Sequence, residues 1–306
     1  MIMASAAMVM GCADRNREKV PAINLSDLDT TCSPAVDFYQ YATGGWQKNN
    51  PLKPEYARFG SFDILNENTE NRLNELFKEM TEMKTAKGTV EQKISDIYKM
   101  GLDSARLNAE GFAPVQKYLD QVYAVNDKAS LVKLVADMHN EGLSPFFGAF
   151  VMADLMNSDM QILYLTQSGL GIGDRDYYLD PASAEIKQGY LNFLTRVFGL
   201  AGVPEPEKAA ANALDVETRI ATASWTRVQE RDMEKIYNPT NTPALEQAYD
   251  GFDFTSYFAA RNIADQDKLV VCEPSFFEAF SKYFAEADIN VLKDYLAGQL
   301  IQDACG

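Results

Sequence analysis

Apolar residues recur at helical spacing along most of this chain. From Ser61 onward, Phe62, Leu65, Leu73 and Leu76 fall near one face of a helix, with polar residues between them. The same periodicity predicts helices over residues 34–43, 89–110, 112–125, 127–140, 186–197, 207–235, 244–249, 255–261, 275–287 and 290–304.

The ends of the first predicted helix carry local signals. Ser33-Pro34 offers a capping hydroxyl followed by proline, which suits the first helical position. We expect the helix to stop at Gly44-Gly45, because glycine is a poor helix former.

The pattern changes in the middle of the chain. Residues 146–153 and 160–167 are rich in β-forming side chains and flank Asn157-Ser158-Asp159, a turn by composition. Helical periodicity returns after residue 181. The predicted fold is therefore mainly α, a multi-helix lobe with one small β-hairpin.

Composition narrows the classes of partner. The chain has 306 residues, and 28 Lys+Arg against 44 Asp+Glu give a formal net charge of −16. This excess of acid argues against a nucleic acid partner, which requires clustered cations. The sequence contains one histidine, so a zinc site with two imidazole ligands cannot be built from it.

The N-terminus has the pattern of an export signal. The apolar stretch 1–10 is followed by Gly11-Cys12, which resembles a bacterial lipoprotein box. We expect a signal segment over 1–12, lipidation of Cys12, a polar tether over 13–30 and a folded region over 31–306. The protein would then be exported and anchored to a bacterial membrane by lipid. No Lys or Arg precedes Arg15, which departs from such signals and leaves open an apolar N-terminus with a chance cysteine.

No catalytic constellation is evident in the residues themselves. His139 has no second histidine, and we expect it to face solvent or to lie at a helix C-terminus. The glycines of 169–173 lack the third glycine and the following helix of a dinucleotide site, which favours a plain loop. The acids of 217–234 alternate with Arg and Lys at helical spacing, which favours a solvated face with ion pairs.

A series of motifs, densest within residues 32–73, is far more specific than these features. The motifs are Asp37-Phe38-Tyr39, Gly44-Gly45-Trp46, Asn50-Pro51-Leu52-Lys53-Pro54, Arg58, Gly60-Ser61-Phe62-Asp63, Gly171-Ile172-Gly173, Arg175-Asp176-Tyr177-Tyr178, Arg231-Asp232, Tyr237-Asn238-Pro239 and Tyr295-Leu296. In these motifs and their order the chain resembles the N-terminal region of the neprilysin-like zinc metalloendopeptidases, especially the bacterial members, and the resemblance extends to the last residue.

The resemblance implies half of a two-lobed helical peptidase. In that family two helical lobes enclose a cavity that admits short peptides, and zinc is held by a His-Glu-x-x-His helix and a later glutamate. Those ligands follow the region present here, so we expect zinc in the full-length protein, no metal ligands in 31–306, and no hydrolysis by this chain without its C-terminal catalytic lobe. The implied reaction is cleavage of short peptides on the amino side of large apolar residues.

The resemblance also implies three substrate-contacting residues. The arginine at the position of Arg58 pairs with the terminal carboxylate of the peptide, which a planar guanidinium grips with two hydrogen bonds. Phe62 would wall the apolar pocket beside the scissile bond, and Asp63 would lie at its edge. A second family arginine is Asn66 here, which weakens the expected carboxylate preference. The alternatives are a surface ion pair for Arg58 and a core contact for Phe62.

A different class of function also fits these residues. The chain would then be a membrane-tethered helical protein that binds peptides or other partners without catalysis. A reading frame that continues to His-Glu-x-x-His would favour the peptidase.

Overall fold

A computed structural model describes residues 23–54, 56 and 58–304. The chain divides into two compact units, residues 1–104 and residues 105–306. The predicted signal segment, Cys12 and most of the predicted tether lie outside the described residues. No helix within the described part of the chain is long and apolar enough to cross a membrane.

The first unit is helical. Its second helix begins after Gly60, whose amide donates to the carboxylate of Asp63 at 2.7 Å. The third is capped by Thr89, as its spacing predicts. These two helices pair through the rings of Phe77 and Tyr98, 5.7 Å apart. The helices are α1 (Phe38–Asn49), α2 (Ser61–Glu82) and α3 (Val90–Leu102).

The bounds predicted for α1 are wrong at both ends. Residues 34–36 form a turn, and the helix begins after Asp37, whose carboxylate accepts the amide of Gln40 at 2.9 Å. It continues through the glycine pair because these positions have a packing role. A Cβ atom on Gly45 would lie 2.3 Å from the carbonyl oxygen of Ser26, so only glycine lets the short 3₁₀ helix Leu25–Asp27 lie against α1.

The second unit contains the rest of the helices and confirms the mainly α fold. Most predicted bounds agree within a few residues, and Asp127 caps α6 by accepting the amide of Ser130 at 2.7 Å. The helices are α4 (Ser104–Glu110), which starts at the boundary, α5 (Ala113–Ala124), α6 (Lys128–Asn140), α7 (Asp176–Leu179), α8 (Ala184–Leu200), α9 (Pro206–Ala223), α10 (Thr242–Ala248), α11 (Phe254–Ala260), α12 (Pro274–Glu286) and α13 (Ile289–Ala304).

The long helix predicted over 207–235 is wrong in its second half. The α9 helix ends at Ala223, where the hydroxyl of Ser224 bonds back to the carbonyl of Ile220 at 2.8 Å. The amide of Trp225 donates instead to the side chain of Gln167, at 2.6 Å. A distant residue therefore takes the chain out of the helix, which local periodicity does not reveal.

The predicted hairpin is present and belongs to a larger sheet. Strands β1 (Phe147–Asp154) and β2 (Asn157–Gln167) pair antiparallel, joined by Leu155-Met156. The turn is tighter than predicted because Asn157-Ser158-Asp159 lies within β2. Two further strands, β3 (Pro239–Thr240) and β4 (Leu269–Val271), complete a mixed sheet of order β1-β2-β4-β3, with β4 parallel to β2.

An aromatic core holds the second unit together. The ring of Phe252 is fully buried and lies 4.9 Å from the rings of both Phe254 and Phe284. Phe147, at the base of β1, packs 5.5 Å from Phe252 and also from Phe280. The sheet, α11 and α12 are therefore locked together by ring contacts.

Candidate functional site

The loop between α1 and α2 and one face of α1 line a cavity of about 720 Å³. Tyr39, Thr43 and Trp46 of α1 line it at helical spacing, together with Asn50, which caps the end of that helix. Arg58 and its neighbours 59–61 also line it. The whole cavity is built from the first unit.

Aromatic and charged contacts hold the loop in place. Phe59 stacks on Trp46 with ring centroids 6.3 Å apart, and Tyr56 packs edge-on against Phe59 at 5.1 Å. The ammonium of Lys53 lies 5.0 Å from the centre of the Phe59 ring and 2.5 Å from a carboxylate oxygen of Glu67 on α2. Hydrogen bonds from Lys53 and Tyr56 lower the pKa of Glu67, so this acid stays ionised and keeps the loop tied to α2.

Arg58 is exposed and lines the cavity. Among the described residues no carboxylate pairs with its guanidinium, so the surface ion pair considered above is not formed within this part of the chain. An unpaired guanidinium keeps its donors available to an anion from outside, and a carboxylate satisfies two of them at once.

Phe62 and Asp63 lie in the first turn of α2. The side chain of Phe62 is 80% exposed, so it makes no core contact within the described residues. The carboxylate of Asp63 accepts the Gly60 amide and so fixes the start of α2. Of the three predicted site residues, Arg58 lines the cavity, whereas Phe62 and Asp63 follow its lining residues in the first turn of α2.

The donors for zinc are not in this part of the chain. No group of three His, Cys, Asp or Glu side chains able to hold a metal occurs in the described residues. Both ring nitrogens of His139, the one histidine of the sequence, already make hydrogen bonds. Nε2 lies 3.1 Å from the carbonyl oxygen of Pro145, and Nδ1 lies 2.6 Å from the hydroxyl of Tyr257. His139 lies in the last turn of α6, so the expected position at a helix C-terminus is confirmed, and its side chain is buried there instead of facing solvent. These residues do not fit a zinc site.

Among the buried acids, two whose pKa is raised were missed by the sequence reasoning. Glu217 is only 1% exposed and accepts hydrogen bonds from Tyr178 at 2.6 Å, Tyr190 at 2.9 Å and Gln299 at 2.9 Å. Burial raises its pKa to about 7, against the lowering effect of these donors. Glu273 accepts the amide of Gln167 at 2.8 Å, and burial also raises its pKa to about 7.

The solvated face predicted for 217–234 is therefore wrong at Glu217, although its neighbours do form exposed ion pairs. Arg219 pairs with Asp215 at 2.8 Å, and Lys235 pairs with Asp232 at 2.8 Å. A buried acid among exposed ones has no signal in helical spacing. The sequence signal that could have indicated a buried acid is Tyr178. This tyrosine belongs to a motif of the resemblance, and it supplies the shortest of the hydrogen bonds to Glu217.

The glycine loop 169–173 serves close packing. A Cβ on Gly171 would lie 1.9 Å from the hydroxyl of Tyr190, and one on Gly169 would lie 2.3 Å from that of Tyr295. Glycine at these two positions therefore allows the loop to approach the two tyrosine hydroxyls closely.

Comparisons with known proteins place these features in context. The model of peptidase family M13 matches residues 34–306. Endothelin-converting enzyme 1 of Homo sapiens is 27% identical over 294 residues, covering 91% of this chain and 38% of that protein. Neprilysin of Oryctolagus cuniculus is 26% identical over 310 residues, covering 89% of this chain and 41% of that protein.

A solved structure shows the same fold. The Mycobacterium tuberculosis zinc metalloprotease Zmp1, in complex with an inhibitor, superposes with a TM-score of 0.83 at 26% identity, over 91% of this chain and 43% of that one. The chain thus spans about two fifths of the length of the relatives it matches.

Proposed function

The chain belongs to peptidase family M13, and on this premise we propose that it is the N-terminal, substrate-enclosing part of an exported zinc metalloendopeptidase. The whole protein would hydrolyse short peptides, cleaving on the amino side of large apolar residues. Zinc and the residues that activate water would come from sequence beyond this chain, since the donors described above do not fit a metal.

The observation that carries the proposal is the guanidinium of Arg58, which lines a cavity and has no carboxylate partner among the described residues. Such an arginine suits the terminal carboxylate of a short peptide. Phe62, in the first turn of α2 and 80% exposed, offers an apolar contact to a neighbouring side chain of that peptide. Asp63 would be a positioning residue, because its hydrogen bond to the Gly60 amide holds the end of α2 that carries Phe62.

Peptide titrations test the role of Arg58. A labelled tripeptide with a free C-terminal carboxylate and a phenylalanine side chain is titrated into the 306-residue chain, and its C-terminal amide serves as the comparison. We expect the carboxylate form to bind about tenfold more tightly, and Arg58→Gln to remove that preference. Arg72→Gln, at an exposed arginine on α2, is the matched control and should leave the preference intact. Equal binding of both peptides by the unaltered chain would contradict the proposal.

The catalytic part of the proposal is tested on the gene and on its full product. We expect the reading frame to continue beyond codon 306 to a His-Glu-x-x-His helix, and the full product to cleave short apolar peptides in a chelator-sensitive manner. A stop codon directly after 306 in a stably expressed product would instead support a non-catalytic binding protein.

The proposed export and lipid anchor rest on the sequence of residues 1–12. Metabolic labelling with a fatty acid should mark the protein expressed in bacteria, and Cys12→Ala should abolish the label. Cys32→Ala, which removes a free thiol, is the control and should retain it. Labelling that survives Cys12→Ala would contradict the anchor.

A further inference from the structure

The β1 strand is an edge of the sheet. It pairs with β2 on one side and has no strand on the other within the described residues. With eight residues it is much longer than β4 and β3, which have three and two. Phe147 and Gly148 at its base are buried, so the open part of the edge runs from Ala149 to Ala153.

The outer backbone groups of this segment are largely unpaired among the residues that the structure describes. Within the described part of the chain, the one hydrogen bond to the backbone of 149–153 from outside the β1–β2 pairing is that from the hydroxyl of Tyr164 to the carbonyl of Ala153, at 3.2 Å. In an antiparallel pair alternate residues direct N–H and C=O away from the partner strand. The edge therefore presents a row of donors and acceptors at the spacing of an extended chain.

The open edge has none of the usual protection against pairing. Proteins commonly guard edge strands with charged side chains, proline or a bulge. Residues 147–153 contain no charged residue and no proline, and the register shift comes only at Ala153/Asp154, where the strand ends. Phe150, Val151 and Met152 are 43%, 66% and 39% exposed.

The hairpin is held in a fixed position. Phe150 stacks on Tyr164 with centroids 5.5 Å apart. At the turn, the buried carboxylate of Asp154 accepts the hydroxyl of Tyr237 at 2.6 Å and pairs with the ammonium of Lys268. These contacts tie the distal end of β1 to the opposite side of the sheet, so the edge is preorganised and a partner need not order it.

The charge of the chain indicates which partner suits this edge. Pairing β1 with β1 of a second copy would bring together two chains that each carry a net charge of −16, and like charges oppose such contact. An extended peptide without acidic residues meets no such repulsion. Its alternate side chains would lie beside Phe150 and Met152 on one face and beside Val151 on the other, which favours β-branched and other apolar residues.

We propose that the edge of β1 from Ala149 to Ala153 is a docking strand for an extended, apolar, non-acidic peptide segment, which adds to the sheet by main-chain hydrogen bonds. This interaction does not require Arg58 or zinc, and it goes beyond the proposed peptidase function. The docked segment would be recognised through its backbone and its uncharged side chains.

Fluorescence anisotropy tests the proposal on the 306-residue chain in the presence of a chelator. The probe is an acetylated and amidated peptide of three Thr-Val repeats with an uncharged fluorophore, and it lacks the terminal carboxylate that concerns Arg58. We expect saturable binding that weakens at least tenfold when every amide nitrogen is methylated, and similarly when the threonines are replaced by glutamate. Mass spectrometry of the recovered probe confirms that it is intact.

A matched pair of substitutions locates the binding. Val151→Lys places a charge on the open edge, and we expect at least tenfold weaker binding of the probe. Val228→Lys makes the same change at a side chain that is 77% exposed and outside the sheet, and should leave the affinity unchanged. Circular dichroism verifies that both variants fold.

Three results would overturn the proposal. They are equal binding of the methylated probe, equal effects of the two lysine variants, and a dimer in sedimentation experiments that Val151→Lys dissociates. The last would identify a second copy of the chain as the occupant.

Discussion

Residues 1–104 and residues 105–306 are both mainly helical, yet they bury their apolar side chains to very different extents. Among the described residues of the first unit no apolar side chain is fully buried, and Phe62, Ile97 and Leu102 are 80%, 70% and 65% exposed. The second unit encloses a continuous core in which Phe252, Phe276 and Tyr295 are inaccessible to solvent. Amphipathic periodicity therefore predicts a helix equally well in both units, but it does not tell whether the apolar face has a partner.

The largest expected effect concerns local stability. Amide hydrogen exchange should be at least about a thousandfold slower in the core strands and helices of the second unit than in α2 and α3, because protection follows buried apolar contacts. Exchange is measured on the intact chain by mass spectrometry with peptide resolution. Similar protection from exchange in both units would contradict this expectation. It would mean that the first unit is more stable than the exposure of its apolar side chains indicates.

The next effect compares two identical substitutions. Phe252→Ala should lower the free energy of unfolding of the second unit by about 3–5 kcal/mol, because it leaves a cavity among aromatic rings. Phe62→Ala, at an exposed ring of the first unit, should change the free energy of unfolding of that unit by less than about 0.5 kcal/mol. Urea unfolding followed by circular dichroism measures both. The contrast between the units would be refuted if the two losses were alike.

Acidity offers a third test. The pKa of Glu217 is raised from 4.5 to about 7, so the folded state retains a proton that the unfolded state has lost. The stabilisation that this retained proton gives to the folded state is fully present below pH 4.5 and is lost as pH rises through 7. The loss amounts to about 3 kcal/mol in total. We therefore expect the stability difference between the unaltered chain and Glu217→Gln to fall over this range.

The control for this test is the same substitution at an exposed acid, Glu234→Gln. His139 acts in the opposite direction, because burial lowers its pKa to about 4 and stability is lost as pH falls below 6.5. Comparing variants at each pH removes this opposing contribution. A difference that does not vary with pH would show that Glu217 titrates normally.

The smallest effect lies within the first unit. Gly45→Ala forces a Cβ against the Ser26 carbonyl and should displace the segment before α1, which limited proteolysis of that segment would reveal as faster cleavage. Gly101→Ala, in α3 with open space around it, should instead stabilise its helix by about 0.5–1 kcal/mol. Slower cleavage in Gly45→Ala would contradict the packing role of this glycine.

Sequence reasoning succeeded where the determinants are local. Thr89 and Asp127 start their helices as predicted, because a side-chain oxygen three residues before a free amide is a property of the chain alone. The hairpin was equally clear from two runs rich in β-forming side chains that flank a turn. Arg58, Phe62 and Asp63 were singled out by family motifs, whereas the cavity that Arg58 lines depends on the loop and its contacts with α1 and α2.

Sequence reasoning failed where residues far away in the chain determine the local structure. Gly45 lies inside a helix because a segment seventeen or more residues away needs the space. The run 269–271 is a strand because β2 offers it a partner, and three residues have no readable period. Glu217 shares its spacing with exposed acids, and only the approach of Tyr178, Tyr190 and Gln299 makes it different.

The surroundings of His139 give the molecule a spectroscopic reporter. The carbonyl of Pro145 can only accept a hydrogen bond, so the ring proton resides on Nε2, and the Tyr257 hydroxyl, which accepts from Arg261 at 2.8 Å, donates to Nδ1. This is the one imidazole in the sequence, so its nitrogen resonances need no assignment by mutagenesis. One pair of nitrogen resonances, at the shifts of a protonated Nε2 and an unprotonated Nδ1, would report the intact second unit. The disappearance of this pair would follow the unfolding of that unit over time without any added label.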